Sequence, residues 1–299
     1  KQTKQAQVYS RVFQVLLTFI LLLCGLGLLG VVIANLLAPF VLRYFSYNAF
    51  FDSYIKDVIS NNKVTNSEMK EIFQILFYNA KKMGVIGILS SIIGYASTIV
   101  IGGFLTLKDV GSYGLMIQLI GIIAGLATLY FSSKVPQLAS LMVKNDRVAI
   151  RKQFGMSLFI YIVITIVGFV GLMTLYPIFG YCEFNTKLPS YSIVIFYFIY
   201  KFIEQGQSLY SQLFLIRNDM RFFKTAVVTG VVSFICLWGA LAAGLGLLGV
   251  VCSQAIPLFA YSAWKWPVDA SRVFGIKSVE DIFINPIKQI KRRIYGRYF

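Results

Sequence analysis

The length of its uncharged stretches constrains this chain most. From Thr225 to Trp264 there are 40 consecutive residues without Asp, Glu, Lys or Arg, and Val12–Leu42 is a second such run of 31. A helix on the surface of a water-soluble domain keeps one charged face. A bilayer core roughly 30 Å thick asks instead for about 20 apolar residues per crossing. Forty residues reach about 60 Å as helix, enough for two crossings. Composition agrees: hydrophobic residues make up 58% of the chain and charged ones 13%, where a soluble domain carries about a quarter charged. The expected fold class is an all-α polytopic membrane protein.

The 31-residue run is too long for one crossing and tight for two. An internal repeat resolves it. The octapeptide GLGLLGVV occurs at Gly25–Val32 and again at Gly244–Val251, an offset of 219. Both runs therefore read as helical hairpins that turn at the Gly-Leu-Gly element, and the pair points to an internal duplication. Four more candidate spans lie between them: Met83–Leu107, Val110–Ser133, Gln153–Cys182 and Leu188–Ile216. The total is about eight. The chain then divides into a hairpin over 1–46 that ends a first half, a cytoplasmic amphipathic linker over 47–82, a six-helix bundle over 83–265 and a basic cytoplasmic tail over 266–299. In the linker, Thr65-Asn-Ser-Glu68 has the capping-box pattern of a helix start. Ile72, Phe73, Leu76 and Phe77 follow at helical spacing, as in a helix lying at a membrane surface.

A net charge of +16 invites a nucleic-acid reading, and the distribution of the charge answers it. With the start of the chain in the cytoplasm and eight spans threaded, 25 of the 28 basic residues fall on the cytoplasmic side. Lys108 and Lys187 fall outside, and Lys201 lies within a span. Membrane proteins concentrate Lys and Arg in this way, so nucleic acid is not needed as a partner, and both ends of the chain are expected in the cytoplasm. The four cysteines have no zinc spacing, and histidine is absent. No metal or cofactor is expected. A membrane enzyme such as a polysaccharide polymerase or ligase would gather acid–base groups where water meets sugar. The longest outward loop, around Tyr181–Pro189, holds only Glu183 and Lys187. A channel would show an acidic ring or filter-like sequence, and none is visible.

The paired hairpins, the block Val110-Gly-Ser-Tyr113, Ser133-Lys-Val-Pro136-Gln-Leu and Asn145-Asp-Arg147 together resemble the polysaccharide-transporter (Wzx-type O-antigen and capsule flippase) branch of the MOP exporter superfamily. The resemblance covers nearly the whole chain. It implies twelve or more helices in two bundles, with this chain matching helices five to twelve and the first four expected outside it. It also implies transfer of an undecaprenyl-pyrophosphate-linked oligosaccharide across the inner membrane by alternating access. Coupling to H+ or Na+ and association with polysaccharide-assembly proteins are part of that expectation. A multidrug or small-molecule antiporter of the same superfamily is the alternative. Duplicated transporters bind at the interface of their halves.

The candidate pathway residues centre on Lys201 and Glu204. Charges near the bilayer centre cost about 2.5–3.5 kcal/mol each on insertion scales and usually face a cavity or a partner. With Ser208 and Gln212 they form one polar stripe, and Gln205 adjoins it. Lys201 would attract a pyrophosphate or acidic sugar, and Glu204 would tune that charge or take a coupling cation. An ion pair that only neutralises itself is the competing reading. Asn35 and Gln254 sit at equivalent positions after the two turns and either line the pathway or bond neighbouring helices. Pro39 and Pro257 each stand to kink a helix. Tyr113, Tyr176, Tyr181 and Tyr191 read as an aromatic belt at the outer interface.

Overall fold

The computed structural model describes residues 2–50, 65–91, 97–181, 188–217, 219–277 and 280–289. Among these residues the chain is helical without a strand. The helices are α1 (Gln2–Leu23), α2 (Gly27–Phe50), α3 (Asn66–Ser91), α4 (Ser97–Phe104), α5 (Leu107–Val143), α6 (Arg147–Tyr181), α7 (Tyr191–Ile216), α8 (Phe222–Ala242), α9 (Gly246–Pro257) and α10 (Ala263–Phe274). A π-helical turn, Leu258–Ser262, joins α9 to α10, and a second, Glu280–Ile284, follows α10. The chain forms two compact units, Lys1–Ile75 and Leu76–Phe299.

Six stretches among the described residues are long and apolar enough to cross a membrane: Ala6–Leu23, Leu29–Asn48, Leu107–Val143, Arg147–Pro177, Phe222–Ala242 and Gly246–Phe274. Their outward faces carry large apolar side chains such as Leu16, Phe40, Val167 and Ile235, a surface that water disfavours and lipid tails accept. The chain is thus an all-α polytopic membrane protein. α7 is 26 residues long and packs against α5, α6, α9 and α10. Its polar centre keeps it from the apolar set. The expected span Met83–Leu107 falls on the end of α3 and on α4, neither of which is among the six, and residues 92–96 lie outside the described part.

Both Gly-Leu-Gly turns form, and they form alike. Gly25, Gly27, Gly244 and Gly246 have φ of +79°, +51°, +71° and +58°, a left-handed region that glycine enters without a Cβ penalty. Three backbone hydrogen bonds recur at the offset of 219: Cys24 to Ile20 and Ala243 to Gly239, Gly25 to Leu22 and Gly244 to Leu241, Leu26 to Leu21 and Leu245 to Ala240. One further glycine sets the closeness of each helix pair. A Cβ on Gly30 would stand 2.8 Å from the Leu21 Cβ, and one on Gly249 would stand 3.1 Å from the Ala240 Cβ. These contacts are also related by 219. One further pair of positions, 10 and 229, keeps the offset and the hydroxyl, though their partners Ala38 and Ser262 are not equivalent. Ser10 donates to the Ala38 carbonyl at 2.7 Å and Thr229 bonds Ser262 at 2.9 Å, so hydroxyls at positions 10 and 229 both tie the first helix of a hairpin to the second.

The capping box is realised in part: α3 starts at Asn66, and the Glu68 carboxylate accepts the Thr65 N–H at 3.0 Å. The helix does not stop at the expected linker boundary of 82/83 but runs on to Ser91. Residues 51–64 of the linker lie outside the described part. The expected span Val110–Ser133 ended before Pro136, yet α5 runs through Pro136 to Val143. The turn comes at Lys144–Asp146, where Asn145 takes φ +54° and the Asp146 carboxylate accepts the Ala149 N–H at 3.0 Å, capping α6.

The largest departure from expectation is the tail. A solvated segment from 266 was expected, but α10 continues the hairpin helix, and Trp266, Ala270, Phe274, Ile276 and Ile282 are buried with Phe154 and Phe214. The apolar spacing Trp266, Ala270, Phe274 explains why: it is one helical face repeated each turn, masked in composition by Asp269 and Arg272 between and by the basic residues that follow. Gly155 seats the second π turn, since a Cβ there would fall 2.0 Å from the Asp281 carbonyl oxygen. Residues 290–299 lie outside the described part.

Candidate functional site

Two apolar cores hold the second unit together, and α7 contributes to both. One contains Tyr113, Met116 and Ile120 of α5 with Val194, Tyr197 and Phe198 of α7. The other contains Phe131 and Leu138 of α5 with Leu209, Leu213 and Phe214 of α7. Between them, residues 201–208 of α7 are all half-buried. The polar stretch of α7 therefore forms a layer between two dry cores.

A cavity of about 200 Å³ opens beside this layer, walled by α7, α8, α9, the first π turn and α10. From α7 it receives Tyr200, Glu204, Gln207 and Ser211; from α8 Thr229 and Ser233; then Gln254, Ser262 and Trp266. The α7 residues repeat at i, i+4, i+7 and i+11, one narrow helical face. The Oε1 atom of Gln207 is buried with no hydrogen-bond partner among the described residues. Such an acceptor costs about 1–3 kcal/mol when unmet, so a donor arriving in the cavity would be held there. Gln254 donates to the Tyr113 hydroxyl at 3.1 Å, which anchors its amide at the cavity edge.

The π turn follows from Pro257. Proline offers no N–H to the carbonyl four residues back, and the ladder widens over Leu258–Ser262, with the Ala263 N–H reaching the Leu258 carbonyl. π segments inside helices are frequent at functional sites. Here the widened turn carries both Leu258 and Ser262 into the cavity wall.

Of the residues expected from sequence, Glu204 and Gln254 meet at this cavity. Lys201 does not line it. Its ammonium is bonded to the Glu204 carboxylate, side chains being 23% and 30% exposed, and it borders a narrow gap with Ile120, Ile123, Tyr161 and Phe198. Ser208 and Gln212 also lie outside the wall and bond each other at 3.3 Å. Gln205 is half-buried and does not line the cavity. The stripe drawn through 201, 204, 208 and 212 is thus displaced by about 75° round the helix from the face that meets the cavity. Asn35 belongs to the first hairpin, where its side chain bonds Gln14 and donates to the Val31 carbonyl at 3.0 Å. It serves helix packing there.

Tyr113 is a further correction. It was placed in an outer aromatic belt, but it is 1% exposed and packs edge-on to Tyr197 with centroids 6.1 Å apart. Its hydroxyl needs a partner once buried, and Gln254 is that partner. Tyr176 and Tyr191 contact each other at 5.1 Å; the Tyr181 side chain lies outside the described part. Sequence reasoning missed Tyr200, Ser211, Thr229, Ser233 and Ser262. The available signal was the run Tyr200, Glu204, Gln207, Ser211, and the charge at Lys201 drew the stripe away from it. No family model, curated protein or solved structure matches this chain.

Proposed function

We propose that the chain is part of a flippase that carries an undecaprenyl-pyrophosphate-linked oligosaccharide from the cytoplasmic to the periplasmic leaflet of a bacterial inner membrane by alternating access. The observation that carries the proposal is the polar cavity between two apolar cores. Carboxylate, amide and hydroxyl groups are expensive within a membrane bundle, and their convergence on one space suits a hydroxylated solute. The matched hairpins support duplicated halves, the architecture that rocks around a central site. At about 200 Å³ the cavity is smaller than the roughly 300–1,000 Å³ of drug-sized ligand sites, so the cycle has to widen it. The π turn in its wall, where the α-helical hydrogen-bond ladder is already interrupted after Pro257, is the place at which we propose it widens. The small volume also favours the second reading, a small-molecule antiporter.

Deleting the gene that encodes this chain separates the two. Loss of surface polysaccharide, with lipid-linked oligosaccharide accumulating inside the cell, supports the flippase. Unchanged surface polysaccharide with raised sensitivity to small cationic compounds transfers the assignment to the antiporter. Both ends of the chain face the cytoplasm in this proposal. In a background free of native cysteines, an impermeant maleimide added to intact cells should label Lys108→Cys at the start of α5 and spare Asn145→Cys beyond its end. The reverse pattern overturns the orientation.

A further inference from the structure

A second pocket, of about 470 Å³, lies where α6 begins and the segment after α10 folds back. Its wall brings together Arg151 and Lys152 of α6 with Lys277, Lys288 and Gln289. Two carboxylates share the wall, and both are engaged. Asp281 accepts the Lys277 N–H at 2.7 Å and the Asn285 amide at 3.1 Å, while Glu280 pairs with the Lys277 ammonium at 3.2 Å. Arg151 donates to the Gly275 carbonyl at 3.1 Å, which fixes its guanidinium and leaves most of its five donors free. Lys152 and Lys288 have no ion-pair or hydrogen-bond partner among the described residues. A separate observation points to an acceptor: the Nε2 atom of Gln289 is buried without a partner among the described residues. Four cations therefore face two carboxylates, one of them paired with Lys277 and the other held by neutral N–H donors. This cationic excess with an unmet amide donor suits an anion that presents several oxygens.

We propose that this pocket binds a phosphate-bearing anion, supplied either by the headgroup of an anionic phospholipid or by a soluble phosphate compound. Basic pockets at the ends of membrane helices recognise headgroups in this way. The site lies outside the polar cavity and stands whether or not the chain is a flippase. It would also fasten the folded-back segment to α6, because the cations come from both.

The test uses the detergent-solubilised full chain, with lipid adducts counted by native mass spectrometry. Phosphatidylglycerol should be retained in preference to phosphatidylcholine, or inorganic pyrophosphate should bind and displace it. Retention of the lipid without any effect of pyrophosphate assigns the headgroup; displacement assigns the shared phosphate chemistry. Lys152→Gln with Lys288→Gln should weaken binding about 30-fold, from about five-fold per lysine. The control pair Lys134→Gln with Lys144→Gln should leave it unchanged. Gln289→Met should weaken binding several-fold without lowering the ligand-free melting temperature. Equal retention of the two lipids without pyrophosphate binding, equal effects of the two lysine pairs, or absence of binding by both probes overturns the proposal.

Discussion

Gly155→Ala should lower the stability of the second unit by about 3 kcal/mol, at the upper end of the usual range for overpacking. The added methyl would lie 2.0 Å from the Asp281 oxygen and 2.8 Å from its carbonyl carbon. Both are backbone atoms, so no rotamer change relieves the clash. The second π turn must lift from α6. With it go Ile276 and Ile282, each less than 8% exposed, and a buried Ile side chain contributes about 1.5–3 kcal/mol. Gly171→Ala is the control, for it lies on the same helix with nothing within 4 Å of its added Cβ. Alanine is the better helix former by about 1 kcal/mol, so that variant should be neutral or slightly more stable. Thermal unfolding of the two solubilised variants gives the comparison, and tryptic cleavage after Lys277 reports whether the segment has detached. Equal melting temperatures and equal cleavage would show that the segment is not seated on Gly155.

The membrane class and the hairpins were legible because they rest on composition and local rules. A run of 40 uncharged residues has few alternatives, and a Gly-Leu-Gly turn needs only left-handed glycines that any helix pair can use. The reach of α10 and the folded-back segment was not legible in composition. Lys288, Lys291, Arg292, Arg293 and Arg297 made 266–299 read as a tail, although Trp266, Ala270 and Phe274 already marked a buried face at helical spacing. Charge at the exposed positions of a helix says nothing about the face it hides. The cavity was half legible. Glu204 and Gln254 were found from their cost in lipid and from the repeat, respectively. Thr229, Ser233 and Ser262 were not, because hydroxyls are common in membrane helices and satisfy themselves on nearby carbonyls, so their presence marks no site until the fold brings them together. The stripe through Lys201 parts from the cavity face for a specific reason: a lysine reaches sideways to its partner, and the direction of its head need not be the direction of the cavity.

That partnership sets the second large expected effect. Lys201 and Glu204 are joined one turn apart on α7, and each remains mostly enclosed. Removing one leaves the other unpaired inside the bundle, a loss of about 3 kcal/mol where a buried pair is broken. Lys201→Ala and Glu204→Ala should therefore each reduce folded protein in the membrane severalfold. Lys201→Arg should keep abundance near normal, since the charge survives and a guanidinium can still meet the carboxylate. The double change Lys201→Ala with Glu204→Ala removes both charges and should recover abundance, because deleting a whole ion pair is often neutral where deleting half is not. Export is the readout that separates pairing from function. Glu204 borders the cavity and Lys201 does not, so the double mutant should sit in the membrane at normal levels and still fail to restore surface polysaccharide. Adding Glu204→Gln to Lys201→Ala keeps a hydrogen-bonding group at the cavity wall, and partial export is expected of it. Wild-type export by the double alanine mutant would reduce Glu204 to a counter-ion for Lys201 and remove the acidic group from the proposed pathway. Low abundance of that mutant would mean instead that the pair also packs the polar layer, and the Lys201→Ala, Glu204→Gln variant, which fills the same volume beside Tyr200 and Gln207, then decides the role of the charge.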